Sequence, residues 1–441
     1  MTEQLLEDLL SDPESFARNY QRKPPKFLYN DREICCLLRR KNKNACPGIN
    51  RGYLGKRGKV GVPYLVEYNG HELILKTTNP GQLSIVHRKE PPSNIKSFDK
   101  IIDKAPSRCG YRDVDNLRYL GADEFTNEML IGLILTFHYL DWNDITGNSF
   151  YPQIEYLTSS ICQDTSPGQI TKSATRPIGV HLMEFADLGT LVDFVSRKET
   201  QEYREVLQII DTQSKRGDRF TMEVVKVDTI FQIIRQVVSA LHSLQNNLDF
   251  NHGDLKAANI FVSSEASRGV YGGVDVTAPF TCKVADYGKS SLTIETDKGA
   301  YRIYNRSWLA DRYLYINPFT PIINVEHDEP FFIVKGLFKV HLYTRTRHMG
   351  LPFYLAFDTY TFIVSLLIIP AFYYAFFSNP DLVGRVWNVL WFHDDAERMR
   401  QRVLGYHDHP KAEGIAVTLE ILRDVRLRCD ATQRLLESLR E

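Results

Sequence analysis

The stretch His252-Gly253-Asp254-Leu255-Lys256-Ala257-Ala258-Asn259-Ile260-Phe261-Val262 decides how this chain is read. It sets a carboxylate, an ammonium and a side-chain amide at relative positions 0, +2 and +5, on a short loop ahead of an apolar strand. Downstream, Phe280-Thr281-Cys282-Lys283-Val284-Ala285 reads as a second strand, and Asp286-Tyr287-Gly288 adds another carboxylate at its end. Isolated Asp and Asn residues usually cap helices or make turns. Four groups in this order instead meet the needs of phosphoryl transfer: a carboxylate facing the acceptor hydroxyl, a cation for the moving group, and an amide plus carboxylate for a hard metal ion.

Working outward, the apolar positions Ile230, Ile233, Ile234, Val237, Val238, Leu241 and Leu244 predict a long helix over 223–246, just before the loop. Residues 50–77 alternate as strands do, with Asn69-Gly70 between Tyr64-Leu65-Val66-Glu67-Tyr68 and Leu73-Ile74-Leu75-Lys76 as a hairpin signal. The polar run 79–122, punctuated by Pro and Gly, reads as largely loop. A helix is predicted over 124–140 and strands over 153–162 and 178–185. Leu5, Leu6, Leu9 and Leu10 predict one amphipathic packing helix over 2–20, and the chain is read as helical again from 382, ending in 415–440. Strands first and helices later predict an α+β, two-lobed architecture with a cleft between the lobes. The expected division is 1–49 as a helical extension and linker, 50–186 as a β-rich lobe with an insertion near 79–122, and 187–441 as a mainly helical lobe.

Charge is balanced at 54 basic and 54 acidic residues, which gives no electrostatic case for nucleic-acid binding. The seven cysteines are scattered and form no Cys-x-x-Cys pair. Neither a disulfide framework nor a zinc site is expected, and the reading is intracellular and cytoplasmic. Met1-Thr2-Glu3-Gln4 shows no secretory leader. Thr359 to Pro380 carries no charge and has the length of a membrane span, but Asp358 heads it and Pro370 interrupts it. It is read as a helix buried on all sides, not as a membrane anchor.

The two motif segments resemble the catalytic and metal-binding loops of the eukaryotic-type protein kinase superfamily. The resemblance spans roughly 50–380, and its divergence, large insertions and His-Gly-Asp form are similar to kinases of large DNA viruses. It implies a kinase that uses ATP and Mg2+ on Ser/Thr of protein substrates, in host cell or virion if viral. It implies Asp254 as catalytic base, Lys256 as neutraliser of the transferred group, and Asn259 and Asp286 as metal ligands. Lys76 would hold phosphates with Glu128 as its carboxylate partner, Glu124 being the alternative. Leu182-Met183-Glu184-Phe185-Ala186 is similar to the hinge, with Met183 guarding the inner pocket and backbone groups of Glu184 and Ala186 meeting adenine. Asp358 is similar to the residue that bonds the catalytic-loop backbone.

Departures from the family are visible too. Gly52, Gly55, Gly58 and Gly61 recur every third position in place of the usual glycine pattern; Gly55, Gly58 and Gly61 remain the candidates for phosphate approach. Ile74 stands where the family has a small alanine, and Gly253 where regulated members carry Arg. The missing Arg predicts activity that does not depend on phosphorylation at Ser290, Ser291, Thr293 or Thr296. Two other readings stay open: a small-molecule phosphotransferase of the aminoglycoside or choline kinase-like type, and a non-catalytic scaffold on the same fold.

Overall fold

The computed structural model describes residues 2–22, 34–35, 51–53, 61–68, 70–80, 83–90, 116–137, 152–163, 177–195, 226–306, 356–367, 372, 379–390 and 430–440, with four two-residue strands between 324 and 343.

The expected single N-terminal helix is two helices, α1 (Thr2–Ser11) and α2 (Pro13–Arg22). Pro13 has no N–H to continue α1, and Asp12 begins the second helix by accepting the Ser15 N–H at 2.9 Å. Leu5, Leu6, Leu9, Phe16 and Tyr20 are buried in the main core, and the Tyr20 hydroxyl meets Thr126 at 3.2 Å. The pair is therefore an integral part of the β-rich lobe.

That lobe is built on β1 (Arg51–Tyr53), β2 (Gly61–Tyr68) and β3 (His71–Thr78), with β2 and β3 paired antiparallel as a hairpin. The insertion expected as loop supplies two strands, β4 (Ile85–Arg88) and β5 (Arg118–Ala122). Their few apolar positions, Ile85, Tyr119 and Leu120, were too short a run to show in a polar stretch, yet all three are buried. Next come α3 (Glu124–Phe137), β6 (Tyr156–Gln163) and β7 (Pro177–Glu184). The main sheet runs β1-β2-β3-β7-β6. Asp123 caps α3 by accepting the Thr126 N–H at 3.1 Å, and residues 125 to 136 of the helix are all buried.

The second lobe opens with α4 (Val227–Leu248), which ends at Asp249 in the left-handed conformation (φ 45°). The motif loop follows, then β8 (Ile260–Ser263), the short pair β9 (Val270–Tyr271) and β10 (Val274–Asp275), and β11 (Thr281–Val284), which pairs antiparallel with β8. Beyond Asp286 the chain forms a hairpin, β12 (Ser291–Thr296) and β13 (Gly299–Asn305). The hairpin joins the insertion in one sheet, β12-β13-β5-β4, with β13 parallel to β5. The hairpin after Asp286 is therefore knitted to β5, the element leading into α3.

Helix α5 (Ala356–Leu367) is short, with Asp358, Thr359 and Ser365 buried. Phe362, Ile363 and Leu366 are buried, each stabilising the fold by about 1.5–3 kcal/mol. Among the described residues, no helix is long and apolar enough to cross a membrane. The helix α6 (Ala431–Arg440) packs against α4 and α5 and against helical turns at Val383–Trp387 and Asn388–Leu390, with Val386, Leu435 and Leu439 buried.

The cysteine expectation needs correction: Cys35 and Cys162 are bonded as a disulfide across 127 residues. Nothing in the spacing of scattered cysteines foretells such a pair; only the packing of residues 34–35 against the end of β6 creates it.

Candidate active site

Three charged groups meet where the two lobes face each other. Lys76 lies in β3 in register with His181 of β7. Its Nζ donates to Glu128 Oε1 of α3 at 2.6 Å and to Asp286 Oδ1 at 2.7 Å. Burial alone would lower the Lys76 pKa, but the two carboxylates outweigh it and hold the ammonium above its ordinary value. Burial likewise opposes ionisation of Asp286, yet Lys76 brings that carboxyl down to about 2. Of the two carboxylates weighed as the lysine's partner, Glu128 is the one in contact. Glu124, one turn earlier, has a pKa raised mainly by burial.

Asp254 sits on the loop between α4 and β8. Its Oδ2 accepts from Lys256 at 3.1 Å and from Lys289 at 2.9 Å. Asn259 turns its Nδ2 to the Asp254 carbonyl at 2.8 Å, so its amide oxygen is the group left to face elsewhere. Asp358, at the head of α5, accepts the backbone N–H groups of His252 at 2.5 Å and Gly253 at 2.9 Å. Full burial nevertheless pushes its carboxyl up to about 7, against those two bonds. His252 is buried, and burial lowers its pKa. Its Nε2–H donates to the Ala285 carbonyl at 2.9 Å while Nδ1 accepts the Asp254 N–H at 3.3 Å, so one neutral imidazole ties the Asp254 loop to the Asp286 loop. Asp286 itself adopts a left-handed backbone (φ 69°), a strained setting for a non-glycine residue that the surrounding contacts maintain.

Gly253 has φ 74°, and a Cβ there would come within 2.7 Å of the Lys289 carbonyl. An arginine at this position is thus excluded by the backbone as well as missing from the sequence. The hydroxyls of Ser290, Ser291 and Thr293 are buried and engaged: Ser290 donates to the His252 carbonyl, while Ser291 and Thr293 accept from Arg302.

In the segment expected as the hinge, Met183 is buried and pairs in register with Ile74. The Glu184 N–H is committed to the Glu155 carbonyl at 2.9 Å, and the Ala186 carbonyl accepts from Gly189 at 3.1 Å. Lys283 of β11 forms an ion pair with the Glu184 side chain, joining the strand ahead of Asp286 to the end of β7. Gly61 opens β2, whereas Gly55, Gly58 and the charges of Lys56, Arg57 and Lys59 lie outside the described residues.

Sequence reasoning missed Lys289, Lys283, Asn127 and Tyr156. Asn127 donates from Nδ2 to the carbonyls of Tyr287 (3.2 Å), Gly288 (3.2 Å) and Ser290 (2.8 Å), pinning α3 to the loop after Asp286. Its place directly before Glu128 was the only signal. An ionised carboxylate beside an amide whose nitrogen is already used is a hard-oxygen donor set, which fits a magnesium ion.

A β-rich lobe bearing a lysine–glutamate pair, facing a helical lobe that bears a His-Gly-Asp loop, defines a two-lobed kinase-like α+β fold. Residues 169–314 match the family model of protein tyrosine and serine/threonine kinases. Over 398 residues the chain is 23% identical to a protein of Acanthamoeba polyphaga mimivirus whose name proposes a serine/threonine-protein kinase. The alignment covers 77% of this chain and 54% of that protein, so the chain spans about half the length of its relative. Over these residues the chain is similar to protein kinases.

Proposed function

We propose that this protein is a protein kinase that transfers the γ-phosphoryl group of ATP to Ser or Thr hydroxyls. The observation that carries the reading is the junction of Lys76, Glu128 and Asp286 beside the Asp254 loop. In this reading Lys76, steadied by Glu128, grips the nucleotide phosphates. Asp254 orients the acceptor hydroxyl and takes its proton, and Lys256 leaves Asp254 to neutralise the phosphoryl group in transit. Asn259 and Asp286 would hold Mg2+, which supplies charge neutralisation on the phosphate oxygens. With the Glu184 N–H already engaged, adenine recognition narrows to the Glu184 carbonyl and the Ala186 N–H. The basic stretch containing Gly55 and Gly58 would cover the phosphates. The mimivirus relative's name supports the choice of Ser/Thr acceptors.

The test is transfer of labelled phosphate from ATP by the full chain, offered a generic basic protein in one tube and aminoglycosides or choline in another. Label on protein Ser/Thr, abolished by Asp254→Asn and by Asp286→Asn, is expected. Label on a small alcohol, or no label and no thermal stabilisation by Mg-ATP, overturns the proposal.

A further inference from the structure

Tyr156 opens β6, is fully buried, and touches α3 at three positions spaced by four residues. Its hydroxyl donates to Glu128 Oε1 at 2.7 Å. Its ring lies over Gly132, where a Cβ would come within 2.5 Å of the ring carbon Cγ. Its backbone N–H donates to Thr136 Oγ1 at 2.9 Å. Positions four apart stack along one face of an α-helix, so Glu128, Gly132 and Thr136 form a single strip that receives one residue.

The glycine is informative. Inside a helix it is less favourable than alanine by about 1 kcal/mol, so it needs a reason to be there. Here the reason is space: any side chain at 132 would evict the ring and, with it, the hydroxyl from Glu128. The ring also reaches beyond the helix. It lies 5.6 Å from Tyr287, the residue after Asp286, and 5.9 Å from His181, whose Nδ1 bonds Ser159 Oγ at 2.7 Å and whose Nε2 stands 3.7 Å from Glu128 Oε2. Burial and the neighbouring Glu128 charge keep the Tyr156 hydroxyl protonated, raising its pKa well above the ordinary value. It can only donate to that carboxylate.

A buried carboxylate paired with one ammonium needs further donors for its remaining lone pairs. Tyr156 and Lys76 converge on the same oxygen of Glu128. We infer that Tyr156 is a positioning residue for phosphoryl transfer: its hydroxyl, admitted by the gap at Gly132, holds Glu128 against Lys76 before any nucleotide binds. The lysine–glutamate pair is then built into the resting fold, and no ordering event is needed to form it. Asn127 secures the same helix to the loop after Asp286, and the buried hydroxyls of Ser290 and Ser291 offer no point of control there. The inference rests on the phosphotransfer reading of the site.

The test compares Tyr156→Phe, which keeps the ring, with Gly132→Ala, which displaces it, and with Glu128→Gln. Losing a hydrogen bond to a charged group predicts that Tyr156→Phe lowers kcat by about ten- to a hundredfold, with the KM for the protein acceptor unchanged. Gly132→Ala is expected to give the same signature, and Tyr156→Phe should add nothing in the Glu128→Gln background. Hydrogen exchange of ligand-free protein should quicken across residues 128–136 in Tyr156→Phe. A kcat within about twofold of wild type, or losses that simply add across the double variant, overturns the inference. If wild type transfers no phosphate at all, the proposed function falls, and exchange alone then decides: unchanged exchange in Tyr156→Phe overturns the role of Tyr156 as well.

Discussion

Lys76 Nζ lies 2.7 Å from Asp286 Oδ1, although 210 residues separate them in the chain. The contact joins the β-rich lobe to the loop after β11. Nucleotide phosphates entering the site would have to take Lys76 from Asp286, leaving Glu128 as its only carboxylate among these contacts. Lys76→Ala is therefore expected to cut transfer by at least about a hundredfold, the scale seen when one charge-stabilising donor is removed. Asp286→Asn should abolish thermal stabilisation by Mg-ATP. A labelled-phosphate transfer assay checks the first, and differential scanning fluorimetry with and without Mg-ATP checks the second.

Gly253 cannot accept a side chain without moving the Lys289 carbonyl, and its φ of 74° disfavours every L-residue. Gly253→Arg is expected to destabilise the fold by about 1–3 kcal/mol and to lower activity, with no phosphorylation-dependent gain. Chemical denaturation and a transfer assay on the same preparation measure this. An arginine variant that is stable and more active would show the loop to be pliable.

Asp358 accepts two backbone N–H groups of the Asp254 loop through both oxygens. An asparagine would turn an NH2 group toward one of them and leave a buried donor unpaired. Asp358→Asn should cost about 1–3 kcal/mol of stability and disorder the loop, so kcat should fall while the hinge still binds ATP. Urea denaturation and nucleotide titration separate the two effects.

His181 is buried, and burial pulls its pKa down to about 4 from its ordinary 6.5. Between those values the unfolded chain binds a proton that the folded chain does not. The stability it contributes is complete above pH 6.5 and is lost as pH falls toward 4, by at most about 3 kcal/mol. Melting temperatures from pH 7 to 4 should therefore fall more steeply in wild type than in His181→Phe.

The Cys35–Cys162 bond closes a loop of 127 residues. Loop-closure entropy for a loop of this length predicts about 5 kcal/mol of stabilisation under oxidising conditions, absent in dithiothreitol and in Cys162→Ser. Melting with and without reductant reads it, and peptide mapping of unreduced protein identifies the linked pair.

Much of the fold was legible in the chain because its signals are local. The hairpin at Asn69-Gly70, the helix before the loop and the four groups from Asp254 to Asp286 are each written within a few residues. The strands β4 and β5 were not legible, since a four- or five-residue run in a polar stretch gains its stability from partners distant in sequence. The break at Asp12-Pro13 is legible in the proline, although the leucine spacing of α1 alone suggests one continuous helix.

The sequence alone determined which chemical groups this protein owns and in what order, since residue type and spacing along one loop are covalent facts. Only the tertiary structure decided that Glu128 rather than Glu124 meets Lys76, that Gly253 has no room for arginine, and that a tyrosine reaches Glu128 through a glycine gap. Those outcomes depend on distances between elements, and distances come from how buried faces pack together, which no local pattern encodes.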